Sequence, residues 1–280
     1  MTLCRVMDVT RSAYYAWSTR GPSDRDQANT VLDGHIRRIY DQHKGRYGSP
    51  RIYRQLNEQG MACSQTRVAR RMQHLGLKAI QTKAFKVTTD SQHRQPVYAD
   101  LIERDTSTSA VNQKWVSDIT YVRTTQGWLY LAVVMDLYSR AVIGWSMQSR
   151  ITAQLVCDAL TMALLRRGFP KGVIVHSDRG SQYCSKAYRK VIRTHQLFGS
   201  MGAKGCCYDN AVIESFFHSL KVEALYPNPI NTRNETRNQL FDYMEVYYNY
   251  KRKHSAIGFL SPMQCEHQSL NNDPSYPSVH

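Results

Sequence analysis

Three acidic residues stand where an acid is unexpected. Asp118 lies inside Trp115-Val116-Ser117-Asp118-Ile119-Thr120-Tyr121, an alternating stretch of β-branched and aromatic residues. Asp178 follows the apolar run Val173-Ile174-Val175 and then His176-Ser177. Glu214 falls on a helix predicted over Asp209 to Leu225, beside the apolar stripe Ile213, Phe216, Phe217 and Leu220 rather than on the far solvent side. Like charges held together repel, but clustered carboxylates become useful when their hard oxygens bind Mg²⁺. Two such ions, about 3.5 to 4 Å apart, would support phosphoryl transfer. Each acid also has a plain explanation: Asp118 as an edge-strand charge, Asp178 as a turn residue before Arg179-Gly180, Glu214 as a surface acid paired with His218. Asp136, at a strand end, is left outside the site. Asn210 and Lys221, four residues before and seven after Glu214, share its face at about 100° per residue, so one helical surface could offer a metal ligand and DNA contacts.

The elements that must position these residues read as an α/β domain. Lys114 to Arg123 alternates, Trp128 to Leu137 is apolar and aromatic, and Ala141 to Met147 is apolar again, which predicts a three-strand meander. A helical stripe over Ile151 to Arg167 and the buried strand at Val173 to Val175 follow. Trp115, Trp128 and Trp145 are expected in the core, and the Tyr243 to Tyr250 aromatics are expected to pack a terminal helix. The run Lys251-Arg252-Lys253-His254 either holds phosphate or is solvated.

The front third differs. The chain has 280 residues and a formal charge of +15, of which Met1 to Arg94 carries +10. That excess favours a polyanion, nucleic acid before an acidic membrane surface. Ser49 as N-cap and Pro50 open a short helix with Ile52, Tyr53 and Leu56 on one face; Ser64 opens another with Val68, Met72 and Leu75 inside and Arg67, Arg70 and Arg71 outside. Together they form a helix-turn-helix candidate for DNA, or a small hairpin with a solvated basic face. Thr10 to Trp17 and Ala28 to Tyr40, the latter with Val31, Ile36 and Ile39 apolar, add two more helices. The divisions expected are a helical region 1–86, a linker 87–111, a catalytic core 112–230, a helical extension 231–265 and a tail 266–280. No apolar run reaches the roughly 20 residues of a spanning helix, and Met1 to Arg20 lacks a signal peptide's apolar stretch, so a cytoplasmic location is expected. Seven cysteines without a Cys-x-x-Cys pair fit a reducing compartment.

Taken in order, the acids resemble the D-D-E triad of transposases and retroviral integrases, with 35 residues between Asp178 and Glu214. The flanking words Trp115 to Tyr121, His176-Ser177-Asp178-Arg179-Gly180-Ser181-Gln182-Tyr183 and Tyr208 to Phe217, with Tyr248 to Pro262 as a fourth, resemble second-reading-frame insertion-sequence transposases. The resemblance covers nearly the whole chain, to about Gln264. It implies a ribonuclease-H-like mixed sheet flanked by helices behind an all-helical helix-turn-helix region. It further implies Mg²⁺ or Mn²⁺, two ions, on Asp118, Asp178 and Glu214, with Lys221, Asn210, Lys204, Arg67, Arg70 and Arg71 as DNA contacts. The implied chemistry is nicking at element ends followed by attack of the freed 3′-hydroxyl on another phosphodiester. The implied partners are double-stranded DNA, a first-reading-frame protein joined by frameshifting, and further copies of the chain. The chain departs from relatives at Cys206, where a polar residue is common, and no first-frame segment precedes Met1. Rival readings are a ribonuclease-H-like nuclease that does not join strands and a helix-turn-helix regulator that does not cut. A retroviral-type integrase would need a His-His-Cys-Cys cluster, and Cys63 has no partners at ligand spacing.

Overall fold

The structure is a computed structural model that describes residues 4, 6–80, 96–103, 105–202 and 210–271. The chain divides into two compact units, Met1–Ile80 and Gln81–His280.

The first unit is helical. Helix α1 (Arg11–Ser18) is capped by Thr10, whose hydroxyl accepts from the Ala13 amide, and it buries no side chain. Helix α2 (Asp24–Gln42) opens with a capping box between Ser23 and Asp26. Helix α3 (Ser49–Glu58) is capped by Gly48 instead of Ser49. With Pro50 in the first turn, Ser49 itself takes the helical position and makes no side-chain cap bond, which corrects the expected N-cap. Helix α4 (Gln65–His74) begins at Ser64, whose Oγ accepts from Arg67 N. The unit's core is Leu32, Ile36, Ile39, Tyr47, Ile52, Leu56, Val68 and Met72. Of the apolar residues noted on α2, Ile36 and Ile39 are buried and Val31 is exposed, because the buried stripe runs through Leu32.

The second unit is built on a five-stranded sheet in the order β3-β2-β1-β4-β5, with β1 (Lys114–Thr124), β2 (Gly127–Asp136), β3 (Val142–Gln148), β4 (Ile174–Ser177) and β5 (Phe198–Met201). The first three strands form the antiparallel meander that the alternation predicts, while β4 lies parallel to β1 and β5 parallel to β4. Helix α5 (Ala153–Arg166) makes the crossover from β3 to β4, and α6 (Lys186–Thr194) the crossover to β5. Both pack on one apolar face, where Trp115, Ala132, Val134 and Ile143 meet Leu155, Ala159, Leu160, Ala163, Tyr188 and Ile192. The approach of α5 to the sheet requires Gly144: a Cβ there would stand 2.2 Å from the Ala159 carbonyl and 2.8 Å from Ala163 N.

Helix α7 (Ala211–Leu220) continues into a π-helical turn, Lys221–Leu225. Helix α8 (Arg233–Phe241) likewise passes into a π segment, Asp242–Tyr248. Helix α9 (Pro262–Asn271) runs across the expected start of the tail at 266, opened by Ser261 and Gln264, which bond each other's backbone amides. Within it Glu266 accepts from the Ser139 hydroxyl and pairs with Arg167.

The expectation that Lys251 to His254 holds phosphate or is solvated does not survive at Arg252 and Lys253, which are 6% and 7% exposed. Arg252 bonds Glu223 in the π turn, Nη2 to Oε1 at 2.7 Å, and also donates to Ser219. Tyr243 donates to the same carboxylate at 2.9 Å. Asn249 places its carboxamide against the edge of β3, accepting from Val142 N and donating to Val142 O, both at 2.9 Å. Arg252 is thus a buried clamp on the end of α7, while Lys251 is exposed.

Candidate active site

The strand register brings the two aspartates side by side. The parallel ladder between β1 and β4 ends at Ser117 opposite Ser177, so Asp118 and Asp178 occupy the next position on adjacent strands. Neighbouring strands lie about 4.8 Å apart, and the two carboxyls therefore share one strip of surface at the end of β4. Asp118 Oδ1 accepts from Ile119 N at 2.7 Å, and Asp178 Oδ1 from Gly180 N at 2.9 Å. A Cβ at Gly180 would stand 2.9 Å from Asp178 Oδ1, so a larger residue there would make that carboxyl shift.

The third acid comes from the first turn of α7. Glu214 N closes the helix onto Asn210 O, and Ile213, Phe216, Phe217 and Leu220 are buried as the stripe predicts. Burial and the field of Asp178, with a smaller push from Glu214, raise the Asp118 carboxyl well above the usual carboxylate range. Burial raises Glu214 too. Lys221 is 7% exposed and lies over the Tyr121 ring, its ammonium 5.3 Å from the ring centre. Burial lowers its pKa, and the attraction of Asp118 works against that shift. Asp178, Glu214 and Lys221 therefore all act on Asp118. Among the described residues no three His, Cys, Asp or Glu side chains are drawn together closely enough to form a metal cage. The donor set is nonetheless of the kind that fits a hard divalent cation: two carboxyls at neighbouring strand positions and a third whose charge acts on Asp118, with Asp118 and Glu214 both disfavoured as anions by burial.

The other expected contacts are placed as follows. Asn210 caps α7 without a side-chain cap bond, and its Oδ1 is buried with no hydrogen-bond partner among the described residues. Lys204, Cys206 and Cys207, and the Tyr208-Asp209 opening of the third motif, lie outside the described residues, as do residues 81–86 of the expected helical region and 87–95 of the expected linker. In the helical unit, Arg71 forms a two-pronged bond with Asp33, Nε to Oδ1 at 2.8 Å and Nη2 to Oδ2 at 2.5 Å, and Arg67 donates to Asn29 at 2.9 Å. Both tie α4 to α2, whereas Arg70 is exposed. Of the tryptophans, Trp115 is in the core, Trp145 is half-buried and bonds Glu245, and Trp128 is 47% exposed. Trp128 departs from expectation because it stands with exposed Arg123 on the outer face of the hairpin end, whose other face, with Val122, Thr124 and Leu129, is the buried one.

Sequence reasoning missed several supports. Ser117 and Tyr183 share a buried hydrogen bond of 3.1 Å beneath the aspartates. Asp136 accepts from the amides of Asn112 and Tyr138, fixing the far end of β2. Glu223, Tyr243 and Arg252 hold the end of α7. Gly180 was visible, since it stands within the quoted motif two residues after Asp178.

Residues 108–207 match a family model described as an integrase core domain, residues 25–85 an HTH-like domain, and residues 214–270 a second integrase core domain. The chain is 49% identical over 270 residues to transposase InsF for insertion sequence IS3A of Escherichia coli strain K12, covering 96% of this chain and 94% of that one. The chain belongs to this family of insertion-sequence transposases. Its sheet with flanking helices is the integrase-like, ribonuclease-H-type fold, joined to a helical HTH-like region. The transposase is also 41% identical over 260 residues to an insertion element IS600 protein of 31 kDa from Shigella sonnei, covering 93% of this chain and 96% of that one. Among solved structures it is similar to a chain of the simian T-cell lymphotropic virus intasome in complex with PP2A regulatory subunit B56 gamma. There the TM-score is 0.49 and the identity 16%, over 88% of this chain and 77% of that one. It is also similar to the HTLV-2 integrase catalytic core domain in complex with magnesium, at TM-score 0.40 and 18% identity, over 56% and 98% of the two chains. No described helix of the transposase is long and apolar enough to cross a membrane.

Proposed function

We propose that this transposase cleaves and joins DNA at the ends of an insertion sequence with Asp118, Asp178 and Glu214 as its catalytic carboxylates. The observation that carries the reading is the register of β1 and β4, which sets Asp118 beside Asp178, with Glu214 acting on the same field. The three acids would hold Mg²⁺ or Mn²⁺, in a two-ion arrangement, and the bound cations would activate an attacking oxygen and stabilise a leaving one.

The chain's own groups set the rest. The Gly180 amide fixes the rotamer of Asp178, and the clamp on Glu223 fixes the end of the helix that carries Glu214 and Lys221. Lys221, buried beside Asp118, places one positive charge where a phosphodiester's charge would lie. In the first step water displaces a 3′-oxygen from phosphorus; in the second that 3′-hydroxyl displaces another, so both are in-line displacements at one site. In the helical unit, exposed Arg70 would meet phosphate directly, while Arg67 and Arg71 set the angle of α4. Lys204 and Asn210 complete the DNA contacts. Working partners are double-stranded DNA, further copies of the chain and a first-reading-frame protein, in the cytoplasm with the nucleoid.

The test incubates the purified chain, alone and fused to a first-frame partner, with end-bearing DNA in Mg²⁺ or EDTA, beside an Asp178→Asn variant. Joined strands that require both metal and Asp178 are expected. Nicks without joining would move the reading to a nuclease, and binding without metal-dependent cleavage would overturn it.

A further inference from the structure

The β1–β2 hairpin runs past the end of β4, its turn held by Asn231 and Arg233 and one of its faces buried through Val122, Thr124 and Leu129. Strand β4 pairs with β1 only to Ser117, whereas β1 and β2 stay paired as far as Thr124 and Gly127. On the projecting part Tyr121 is 39% and Trp128 47% exposed, and their rings meet edge to face with centroids 5.2 Å apart. Tyr121 stands opposite Tyr130 and Arg123 opposite Trp128, so these four residues share one face and the two rings are diagonal neighbours.

Hairpin stabilisation explains why two aromatics touch here. It does not explain why they stay half open beside a lysine that also acts on Asp118. Lys221 lies over the Tyr121 ring and is attracted by Asp118, and Arg123 is exposed next to Trp128. Asp118 and Tyr121 are three positions apart on β1, about 10 Å along the strand and on opposite faces of it, and Lys221 acts on both beside the β1 edge that β4 leaves unpaired after Ser117. A DNA strand advances about 3.4 Å per nucleotide, so the same distance spans roughly three nucleotides. Flat apolar rings flanked by cations suit a nucleobase between two phosphates, since every base offers a π-face.

We propose that Tyr121 and Trp128 form a stacking platform for a base of the strand held at the carboxylates, about three nucleotides from the scissile phosphate. Lys221 and Arg123 hold the flanking phosphates. The platform rests on the transposase reading and adds the place where the strand leaves its duplex stack. The added contact offsets the unstacking that brings a duplex end down to the acids.

The test uses the full chain and end-bearing duplexes carrying 5-iododeoxyuridine at one of the first five positions from the cleaved phosphate, irradiated in EDTA. Cross-linking should peak near the third position and map to the peptide holding Trp128 or Tyr121. In Mg²⁺, Trp128→Leu keeps an apolar side chain on the hairpin and should slow joining roughly 5- to 150-fold, the range of one lost base stack, while Trp128→Phe should lose far less. An abasic third nucleotide should slow the wild type and leave Trp128→Leu unchanged. A leucine variant that joins like the wild type, or that is slowed equally by the abasic site, overturns the platform, as does a cross-link that avoids the hairpin. A wild type that cross-links at Trp128 but never cleaves or joins supports the platform and refutes the catalytic reading.

Discussion

Replacing Gly180 by alanine places a methyl group 2.9 Å from Asp178 Oδ1 and 3.4 Å from Gln182 Oε1. The first distance is too short to persist, so the carboxyl must turn away and give up the 2.9 Å bond from the Gly180 amide. A hydrogen bond to a charged group contributes about 1.5 to 3 kcal/mol. If that whole amount is lost from the arrangement that reacts, joining slows by about 10- to 150-fold. Loss of the oriented ligand should also raise the Mg²⁺ concentration needed for half-maximal rate. Fold stability should change little, because the carboxyl that moves is at the surface end of β4. The assay is a Mg²⁺ titration of strand joining for wild type, Gly180→Ala and Gly180→Ser, with thermal melts in parallel. A Gly180→Ala enzyme with the wild-type rate and wild-type Mg²⁺ midpoint would refute the claim that this amide sets the Asp178 rotamer. A variant that loses rate only in proportion to lost fold would refute it equally.

Without metal, Asp118 should make the fold less stable as pH rises. Its folded pKa is raised, so between the unfolded value near 3.9 and the higher folded value the native state binds more protons and stability falls with pH. Asp118→Asn should therefore melt higher than wild type in EDTA at neutral pH and show a flatter pH profile, and a lower melting temperature would contradict this. Arg252→Met leaves Glu223 buried without its ion-pair partner, a change that typically costs about 3 to 5 kcal/mol, whereas Glu223→Met with Arg252→Met should recover much of the loss in urea melts. Gly144→Ala drives a methyl group into the backbone of α5 and should cost at least about 1 to 3 kcal/mol in the same melts, and a neutral outcome would mean that α5 can slide.

How much of this was legible in the sequence depends on how local each cause is. The meander and the stripe of α7 follow from side-chain periods, and those periods set Asp118 and Glu214 on their elements. Strand β5 was not legible, because Phe198-Gly199-Ser200-Met201 has neither alternation nor an apolar run, and its place comes from pairing with β4. Helix α6 was passed over for a similar reason: its nine residues bury only Tyr188 and Ile192. The exposure of Trp128 escaped as well, since alternation assigns a residue to a face but not to the part of that face a helix covers. Burial of Arg252 depends on Glu223, 29 residues earlier, and on a π turn that interrupts the 3.6-residue period. The two aspartates come together only through the register of strands 60 residues apart, which the spacing of the acids alone does not fix.

Both margins of the sheet are partly occupied by chain from elsewhere in the same unit. On one side the Asn249 carboxamide takes up the amide and carbonyl of Val142, as a neighbouring strand would. On the other, the segment around Tyr98 lies across β5: Met201 N donates to Ala99 O, Leu101 N donates to Ser200 Oγ, and the Tyr98 ring fills the space a Cβ on Gly199 would need. An open strand edge invites another chain to add to it, in productive assembly and in aggregation alike. With its edges blunted at Val142 and at Gly199 to Met201, the sheet discourages such growth there. Copies of this protein gathered at high local concentration on one DNA molecule would meet through side chains and helices instead of merging their backbones.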